Sequence, residues 1–544
     1  MKALTKNCFL ALLCLFGSKL YAQVASPSAT KSPENTPAPV VVYFEVRQKD
    51  AYRMDSLVVR LDDSQISGQA QKNLIKLRSG NFFEGVFPGS EGIAHIVTED
   101  IKRPAYLSLG TEKNPFLNQY VVFPGDSIKI QLDTYRNQVV FSGPSAPLFR
   151  CQRELHLLMA ERSFATDIRM GFNSPENLET YLSKEGKRKQ FIQSQKQFGS
   201  HTHVYVRKEQ DLAILESTFG DGYEDRILEV ITRYQKILPA DRLQVIKANY
   251  LGRLRFSRLK AFNNAIAYAL RSGDPRHRKV LAAFFKDHEQ ADTIDDLPEQ
   301  AIISSPSYQH YLITRAKSYA YLHDTSIFAQ IRDMPNGPVK DHLAARYICE
   351  EFDHLENGDL KAKEALTFID SPRPKEALQA LLSSLGQGQA LQGAVFTGLD
   401  GKPIDLSTLK GKVLLLDFWY TGCKACINFF SSRISKIEEH FKENPDFQMV
   451  SISADKDRAR WVRSIESGRY TSHNALNLYT GGKGFQHSFL ENMDISAFPR
   501  LILVEDDGTI RQAGGLKQPL EDMIKLIEEA LPNKNNPDTL TLQL

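Results

Sequence analysis

The chain has 544 residues, 42% of them hydrophobic, enough to bury several cores, and length alone suggests about three domains. Sixty-eight basic residues stand against 65 acidic ones, a net charge of +3, too balanced to imply nucleic acid and pointing to no other partner. Beyond the N-terminus, no apolar run approaches the ~20 residues of a membrane helix.

The first element is an address. Met1, Lys2 and Lys6 precede an apolar segment from Cys8 to Phe16, and Gly17-Ser18-Lys19-Leu20-Tyr21-Ala22 follows it. This is the layout of a secretory signal peptide over residues 1–22. Leu12 and Leu13 stand before Cys14 where a lipoprotein signal wants small residues, so Cys14 reads as part of the apolar core of the signal. The mature chain is expected to be exported, into the periplasm of a Gram-negative cell. Residues 23–39 carry Pro27, Pro33, Pro37 and Pro39 among Ser, Ala and Thr and read as a flexible tether.

From Val40 to Gly143 the texture is that of an all-β domain. Val41 to Val46, Ser56 to Leu61, Ala94 to Val97, Tyr106 to Leu109, Tyr120 to Phe123, Ser127 to Leu132 and Gln138 to Phe141 are short, β-branched or aromatic runs. Turn signals such as Pro124-Gly125-Asp126 and Ser142-Gly143 separate them, as in a β-sandwich or small barrel. Residues 144–385 then read as an all-α middle domain. Ser305-Pro306 caps a helix whose apolar positions include Tyr308, Leu312, Tyr319 and Leu322; Leu243, Ile246, Tyr250 and Leu254 repeat the spacing. The basic run Lys184 to Lys189 reads as a solvated helix face. Export leaves Cys151 and Cys349 open to pairing, yet both lie in apolar helical stripes and are plain buried thiols on the simpler reading.

Gly386-Gln387-Gly388-Gln389 reads as a linker into a last domain, residues 386–532, with a tail at 533–544. A hairpin is expected at Ala394 to Phe396 and Pro403 to Leu406 around Leu399-Asp400-Gly401, then a buried strand from Val413. Another strand, Phe447 to Ser453, and an aspartate-capped helix from Asp455 to Ile465 come next. An insertion rich in Tyr, Asn and Gly leads to strands at Leu501 to Val504 and Thr509 to Gln512. A closing helix after Pro519 carries Leu520, Met523, Ile527 and Leu531. The order is hairpin, then βαβα, then ββα.

Within this domain, Trp419-Tyr420-Thr421-Gly422-Cys423-Lys424-Ala425-Cys426 sits where a strand gives way to a helix. That helix is legible in Ile427, Phe430, Ile434, Ile437 and Phe441. Two cysteines with two residues between them at a first helical turn close a small disulfide ring. Unpaired N–H groups, the helix dipole and Lys424 all favour a thiolate there, so Cys423 is the expected exposed nucleophile. Cys426, one turn further in, suits the resolving role. Asp417, on the strand beneath, is expected in apolar surroundings that raise its pKa, positioned to exchange a proton with Cys426.

With Asp400-Gly401-Lys402, Leu406 to Lys412, the run Asp417 to Cys426, Phe498-Pro499-Arg500 and Asp507-Gly508, the stretch Gly393 to Leu531 resembles the TlpA-like and ResA-like thiol-disulfide oxidoreductases of the thioredoxin superfamily. More narrowly, it resembles their multidomain form common in Bacteroidetes. The resemblance implies a C-terminal α/β thioredoxin-like fold and exchange of protein disulfides through Cys423 and Cys426. Pro499 would be a cis-proline facing the dithiol, and the Phe498 backbone would pair with an extended substrate segment. Trp419, Tyr420 and Lys424 would border the substrate. The chemistry calls for no cofactor or metal beyond the redox-active pair. The implied partners are a disulfide-containing protein substrate and a membrane thiol-disulfide shuttle that donates electrons; cytochrome c maturation is one family role among several. Gly422 departs from the pattern, standing where a tryptophan is usual, and Lys424-Ala425 replaces a proline-containing pair.

Three rivals compete with this reading. A zinc site needs four ligands, and no second cysteine pair or close histidine pattern accompanies this one. A thiol peroxidase wants proline and threonine or serine where Leu416 and Tyr420 stand. The remaining alternative is a binding protein with an inert thioredoxin-like scaffold, against which two intact sulfurs argue.

Overall fold

The computed structural model describes residues 36–532 apart from 48–53, 63–65, 67–70, 80–90, 112–114, 137, 166–167, 185, 188–189, 191, 194–201, 209, 290–296, 392, 494, 496 and 517–518. The leader at 1–22, the tether up to residue 35, part of the basic run at 184–189 and the tail at 533–544 lie outside the described residues. The chain divides into a β unit, up to Asp63 and again from Asn73 to Ala146, and a larger unit of Ser64–Lys72 and Pro147 onward.

The β unit comprises β1 (Val41–Arg47), β2 (Ser56–Asp62), β3 (Gln71–Lys76), β4 (Arg78–Ser79), β5 (Glu91–Val97), β6 (Ala105–Gly110), β7 (Pro115–Val122), β8 (Ser127–Asp133) and β9 (Gln138–Ser142). They form two sheets, β4-β5-β1-β8-β9 and β3-β2-β6-β7. The alternation in the sequence sets which side is covered: Val42, Phe44 and Val46 of β1 are buried, as are Ile128, Ile130 and Leu132 of its parallel neighbour β8. The turn before β8 is closed by Asp126, whose carboxylate accepts from the Phe123 N–H at 2.8 Å and the Ser145 hydroxyl at 2.9 Å. Strands β3 and β4 escaped the sequence reading because Gln71-Lys72-Asn73 and Arg78-Ser79 supply no apolar alternation.

The larger unit begins with helices. Two of them, Ala240–Ser272 and Pro306–His323, cross at Gly252, where an added Cβ would collide with the backbone of Ser307 and Tyr308. The Ser305 hydroxyl accepts from the Tyr308 N–H at 3.2 Å, the cap that the sequence announced. The all-α expectation needs one correction: β10 (Ile168–Phe172) and β11 (Thr202–Val206) pair in parallel. The alternating, β-branched Thr202-His203-Val204-Tyr205-Val206 favours strand over helix. Cys151 and Cys349 are thiols, not bonded to one another.

The stretch read as a linker is pinned down. The Gly388 N–H donates to the Ile510 carbonyl and the Ile510 N–H to the Gln389 carbonyl, both at 2.7 Å. A second tie runs through the turn Phe352–His354, where Asp353 pairs with the buried guanidinium of Arg500 and its carbonyl accepts from the Gly515 N–H at 3.0 Å. A Cβ at Gly515 would lie 2.6 Å from the Leu355 carbonyl oxygen, so this close approach requires glycine.

The last sheet contains β12 (Val395–Gly398), β13 (Pro403–Asp405), β14 (Val413–Trp419), β15 (Phe447–Ser453), β16 (Leu476–Tyr479), β17 (Arg500–Val504) and β18 (Ile510–Gln512), in the order β13-β12-β16-β15-β14-β17-β18. β14 is an interior strand, parallel to β15 and antiparallel to β17, and every one of its residues is buried. Val413 and Leu415 pack with Phe430, Ile434, Ile437 and Phe441 of the helix that follows, and with Met523 and Ile527 of the closing helix Leu520–Ala530. That first helix is interrupted: Lys424–Phe429 and Ser435–Phe441 are α, and Phe430–Ile434 between them is a π-turn. The Ser431 and Ser435 hydroxyls donate back to the carbonyls of Asn428 and Ser431, the side-chain competition that loosens a helical ladder.

Candidate active site

Strand β14 delivers the chain to the surface of the sheet, and the turn Tyr420-Thr421-Gly422 reverses it into the helix. Gly422 takes φ +105, a conformation open to glycine at little cost. Cys423 is the residue that caps the helix, and its sulfur accepts from the Cys426 N–H at 3.0 Å. Cys423 and Cys426 are joined by a disulfide, with their Cα atoms 5.3 Å apart.

Across from the pair lies the loop before β17. The Phe498-Pro499 peptide is cis, and the Phe498 carbonyl oxygen is 3.9 Å from the Cys423 sulfur. The two sulfurs share a cluster with Trp419, Trp461, Ile465, Tyr470 and Tyr479, flanked by Tyr420, Ile427, Val462 and Phe498. This cover explains a correction: Cys423, expected exposed, is 5% exposed, against 3% for Cys426.

Asp417 follows Val413 and Leu415 on the β14 face that the active-site helix covers, as strand alternation requires. Burial pushes its carboxyl from 3.8 up to about 8, and the negative charge of Glu438 adds to the rise. Glu438 is itself raised by burial, and its carboxylate accepts from the Ser472 hydroxyl at 2.9 Å.

Of the residues expected at the substrate surface, Tyr420 and Phe498 are half-buried, with ring centroids 5.5 Å apart, and Lys424 is exposed. Trp419 is not there. It is wholly buried, stacks on Tyr470 at 4.9 Å and donates its indole N–H to the Ser451 hydroxyl at 2.7 Å. It therefore backs the dithiol rather than meeting a partner, because an outward turn would forfeit a large burial and a hydrogen bond.

The sequence reading missed what holds the turn. Asp455 accepts from the Thr421 N–H at 3.1 Å and the Thr421 hydroxyl at 2.6 Å, so it does not cap the next helix. That role belongs to Asp457, which accepts from the N–H groups of Ala459 and Arg460, and the helix runs over Arg458–Glu466. The Tyr470 hydroxyl accepts from the Gly422 N–H at 2.8 Å. Arg460 donates to the Thr421 carbonyl at 2.8 Å, and its guanidinium would lie 3.5 Å from a Cβ at Gly422. A cation thus occupies the side of the turn where the bulk of residue 422 is missing. An Asp two residues past a buried strand, as in Ser451-Ile452-Ser453-Ala454-Asp455, was the available signal.

Comparison with known proteins bears on the same domain: residues 411–510 match the thioredoxin-like family model. The stretch is thus thioredoxin-like, and the proteins it is similar to are of the TlpA/ResA type. The thiol-disulfide oxidoreductase ResA of Bacillus subtilis is 26% identical over 133 residues, 23% of this chain and 66% of that protein. The SCO1 protein homolog of the same organism is 26% identical over 110 residues, 20% of this chain. The chain thus spans 55% of the length of the SCO1 homolog and 66% of ResA. Among solved structures, the thioredoxin domain of a thiol-disulfide oxidoreductase from Bacteroides vulgatus is 27% identical, with 27% of this chain and all of that one covered and a TM-score of 0.24. A thiol:disulfide interchange protein from Bacteroides sp. is 25% identical, covering 28% of this chain and 95% of that one, also with a TM-score of 0.24. The thioredoxin-like domain supplies the buried carboxyl and the dithiol from one continuous stretch, β14 and the helix after it, and the facing loop from a second, before β17.

Proposed function

We propose that the chain is an exported thiol-disulfide oxidoreductase that reduces disulfides in other proteins. The observation that carries the reading is the Cys423–Cys426 bond at the mouth of the active-site helix, facing the Phe498 carbonyl with Asp417 buried beneath. In the reduced chain, the Cys423 thiolate attacks one sulfur of a substrate disulfide, forming a mixed disulfide and releasing the other substrate sulfur as a thiolate. Cys426 then passes its proton to Asp417 in the fraction of chains where that carboxyl is ionised, a fraction that grows as pH rises toward about 8, and attacks the Cys423 sulfur. The Cys423–Cys426 bond forms and the second substrate sulfur leaves, so two electrons have passed to the substrate. The chemistry needs no group beyond the dithiol.

Phe498 and Pro499 hold the substrate segment alongside Cys423, and Tyr420 and Lys424 border it. The leader-like layout of residues 1–22 supports export to the periplasm. There the oxidised pair is reset by a thiol donor, and a membrane thiol-disulfide shuttle fits that need.

The test is a redox titration of the mature chain against a dithiol buffer, following free thiols and tryptophan fluorescence together. The chain's two tryptophans, Trp419 and Trp461, share the cluster around the sulfurs. A two-electron transition at about −250 mV or lower supports the reductase, and one near about −120 mV reverses the direction to disulfide donation. An unchanged spectrum and thiol count across the titration would defeat the exchange reading. Cys426→Ser is expected to trap mixed disulfides through Cys423, and trapping that survives loss of Cys423 would name the wrong nucleophile.

A further inference from the structure

We propose that Tyr420, Phe485 and Phe498 form a docking face for a large apolar side chain next to the substrate's disulfide cysteine, in a segment of acidic character. The inference rests on the dithiol-exchange reading and names the substrate class for that same site.

The rings form a closed set. Centroids are 5.6 Å apart for Tyr420 and Phe485, 5.5 Å for Tyr420 and Phe498, and 5.2 Å for Phe485 and Phe498, with each pair edge-on or tilted. Such geometry is attractive between aromatic quadrupoles. Yet Phe485 remains 48% exposed, and the other two rings are half-buried. A contiguous apolar patch left in water is a mark of an interaction surface, and this one adjoins the reacting sulfur through the Phe498 carbonyl, 3.9 Å from Cys423. A chain tethered to Cys423 has the three rings beside it.

The ring of Phe485 sits on a built loop. Gly481, Gly482 and Gly484 take φ of +62, +84 and +60, values that favour glycine. The Thr480 hydroxyl donates to the Asp455 carbonyl at 3.3 Å and accepts from the Gly484 N–H at 3.0 Å. The carboxylate of the same Asp455 holds Thr421, two residues before Cys423. One residue therefore ties the loop that carries Phe485 to the turn that carries the nucleophile.

Charge completes the occupant's description. Lys424, Lys456, Arg460 and Lys483 are exposed along the same turn, strand end and loop. Of the acids in these segments, Asp455 is buried on Thr421, and the exposed carboxylate of Asp457 caps its helix by accepting from the N–H groups of Ala459 and Arg460, so four cations stand against one surface carboxylate. A cationic rim around an aromatic face complements an acidic segment with an apolar residue beside its cysteine.

The test uses the full-length chain, pre-reduced, under single-turnover conditions. Substrates are disulfide-linked peptides with Phe, Leu or Ser beside the cysteine and Glu or Lys further out, with bis(2-hydroxyethyl) disulfide as a small reference. Phe and Leu peptides are expected to react about three- to tenfold faster than Ser peptides, the worth of one aromatic contact. Glu peptides are expected to outpace Lys peptides, by a margin that salt erodes. Phe485→Ala is expected to bring the Phe-to-Ser ratio close to one, and Phe485→Leu to restore most of it. If the wild type reduces the small reference but treats Phe and Ser peptides alike, the docking face is wrong and dithiol exchange stands. If it reduces no disulfide, both are wrong. If Phe485→Ala slows peptides and reference by the same factor, the ring props up the fold, and the proposal fails.

Discussion

Replacing Asp417 by asparagine should stabilise the thioredoxin-like domain and impair its chemistry, and the size of the first effect follows from the carboxyl's burial. The folded chain holds a proton on Asp417 up to about pH 8, whereas the ordinary aspartate value is 3.8. Between those limits the native state binds one more proton than the unfolded state. Stability therefore falls as pH rises, by about 1.4 kcal/mol per pH unit. An asparagine at this position has no such slope, so the variant's advantage should be near zero at pH 4, on the order of 4 kcal/mol at pH 7, and level above pH 8. The assay is denaturant unfolding of the oxidised wild type and variant at several pH values, followed by tryptophan fluorescence. Both tryptophans belong to this domain, so the signal isolates its transition from those of the β and helical parts. Two unfolding free energies that stay parallel from pH 4 to 8 would refute the reasoning, because Asp417 would then titrate as it does in the unfolded chain. On the mechanism proposed above, the same change in the reduced chain removes the acceptor for the Cys426 proton, and mixed disulfides should resolve about 100-fold more slowly.

Two further substitutions probe the framework. Asp353→Ala leaves the Arg500 guanidinium buried without its carboxylate and should cost about 3–5 kcal/mol in the same fluorescence-detected transition; a loss below about 1 kcal/mol would mean that the pair does not tie the helical turn to β17. Gly252→Ala would ordinarily stabilise a helix by about 0.5–1 kcal/mol, but here the added carbon meets the backbone of Ser307 and Tyr308, so a loss of about 1–3 kcal/mol is expected in helical circular dichroism. A gain would show that the two helices do not cross there.

How much of this was legible depended on whether the deciding residues are neighbours along the chain. The dithiol, the strand before it and the helix after it fall within Val413 to Phe441, and the period of the apolar residues fixed which side of that helix meets the sheet. The raised pKa of Asp417 was readable for the same reason: alternation along a short strand put it on the covered face. Strand β16 was not readable, since Leu476-Asn477-Leu478-Tyr479 is four residues long and is set among Asn, Thr and Gly that signal turns. Its place between β15 and β12 is decided by pairing across the sheet, which no local pattern states.

The same limit explains why the disulfide-bonded pair was found and its surroundings were misjudged. Trp419 was placed at the substrate border by the family resemblance, and only the arrival of Tyr470 and Ser451 from distant segments buries it. Phe485, 62 positions beyond Cys423 in the sequence, drew no notice within a loop of glycines. Those glycines permit the backbone path that carries its ring to Tyr420 and Phe498. Reactivity needs two sulfurs and a helix terminus, which a continuous stretch supplies; selectivity needs a surface, and a surface is assembled from wherever the chain returns. Of the three rings proposed to choose a substrate for Cys423, Phe485 is accordingly the one a linear reading passes over, and it is where variants should change preference without removing the chemistry.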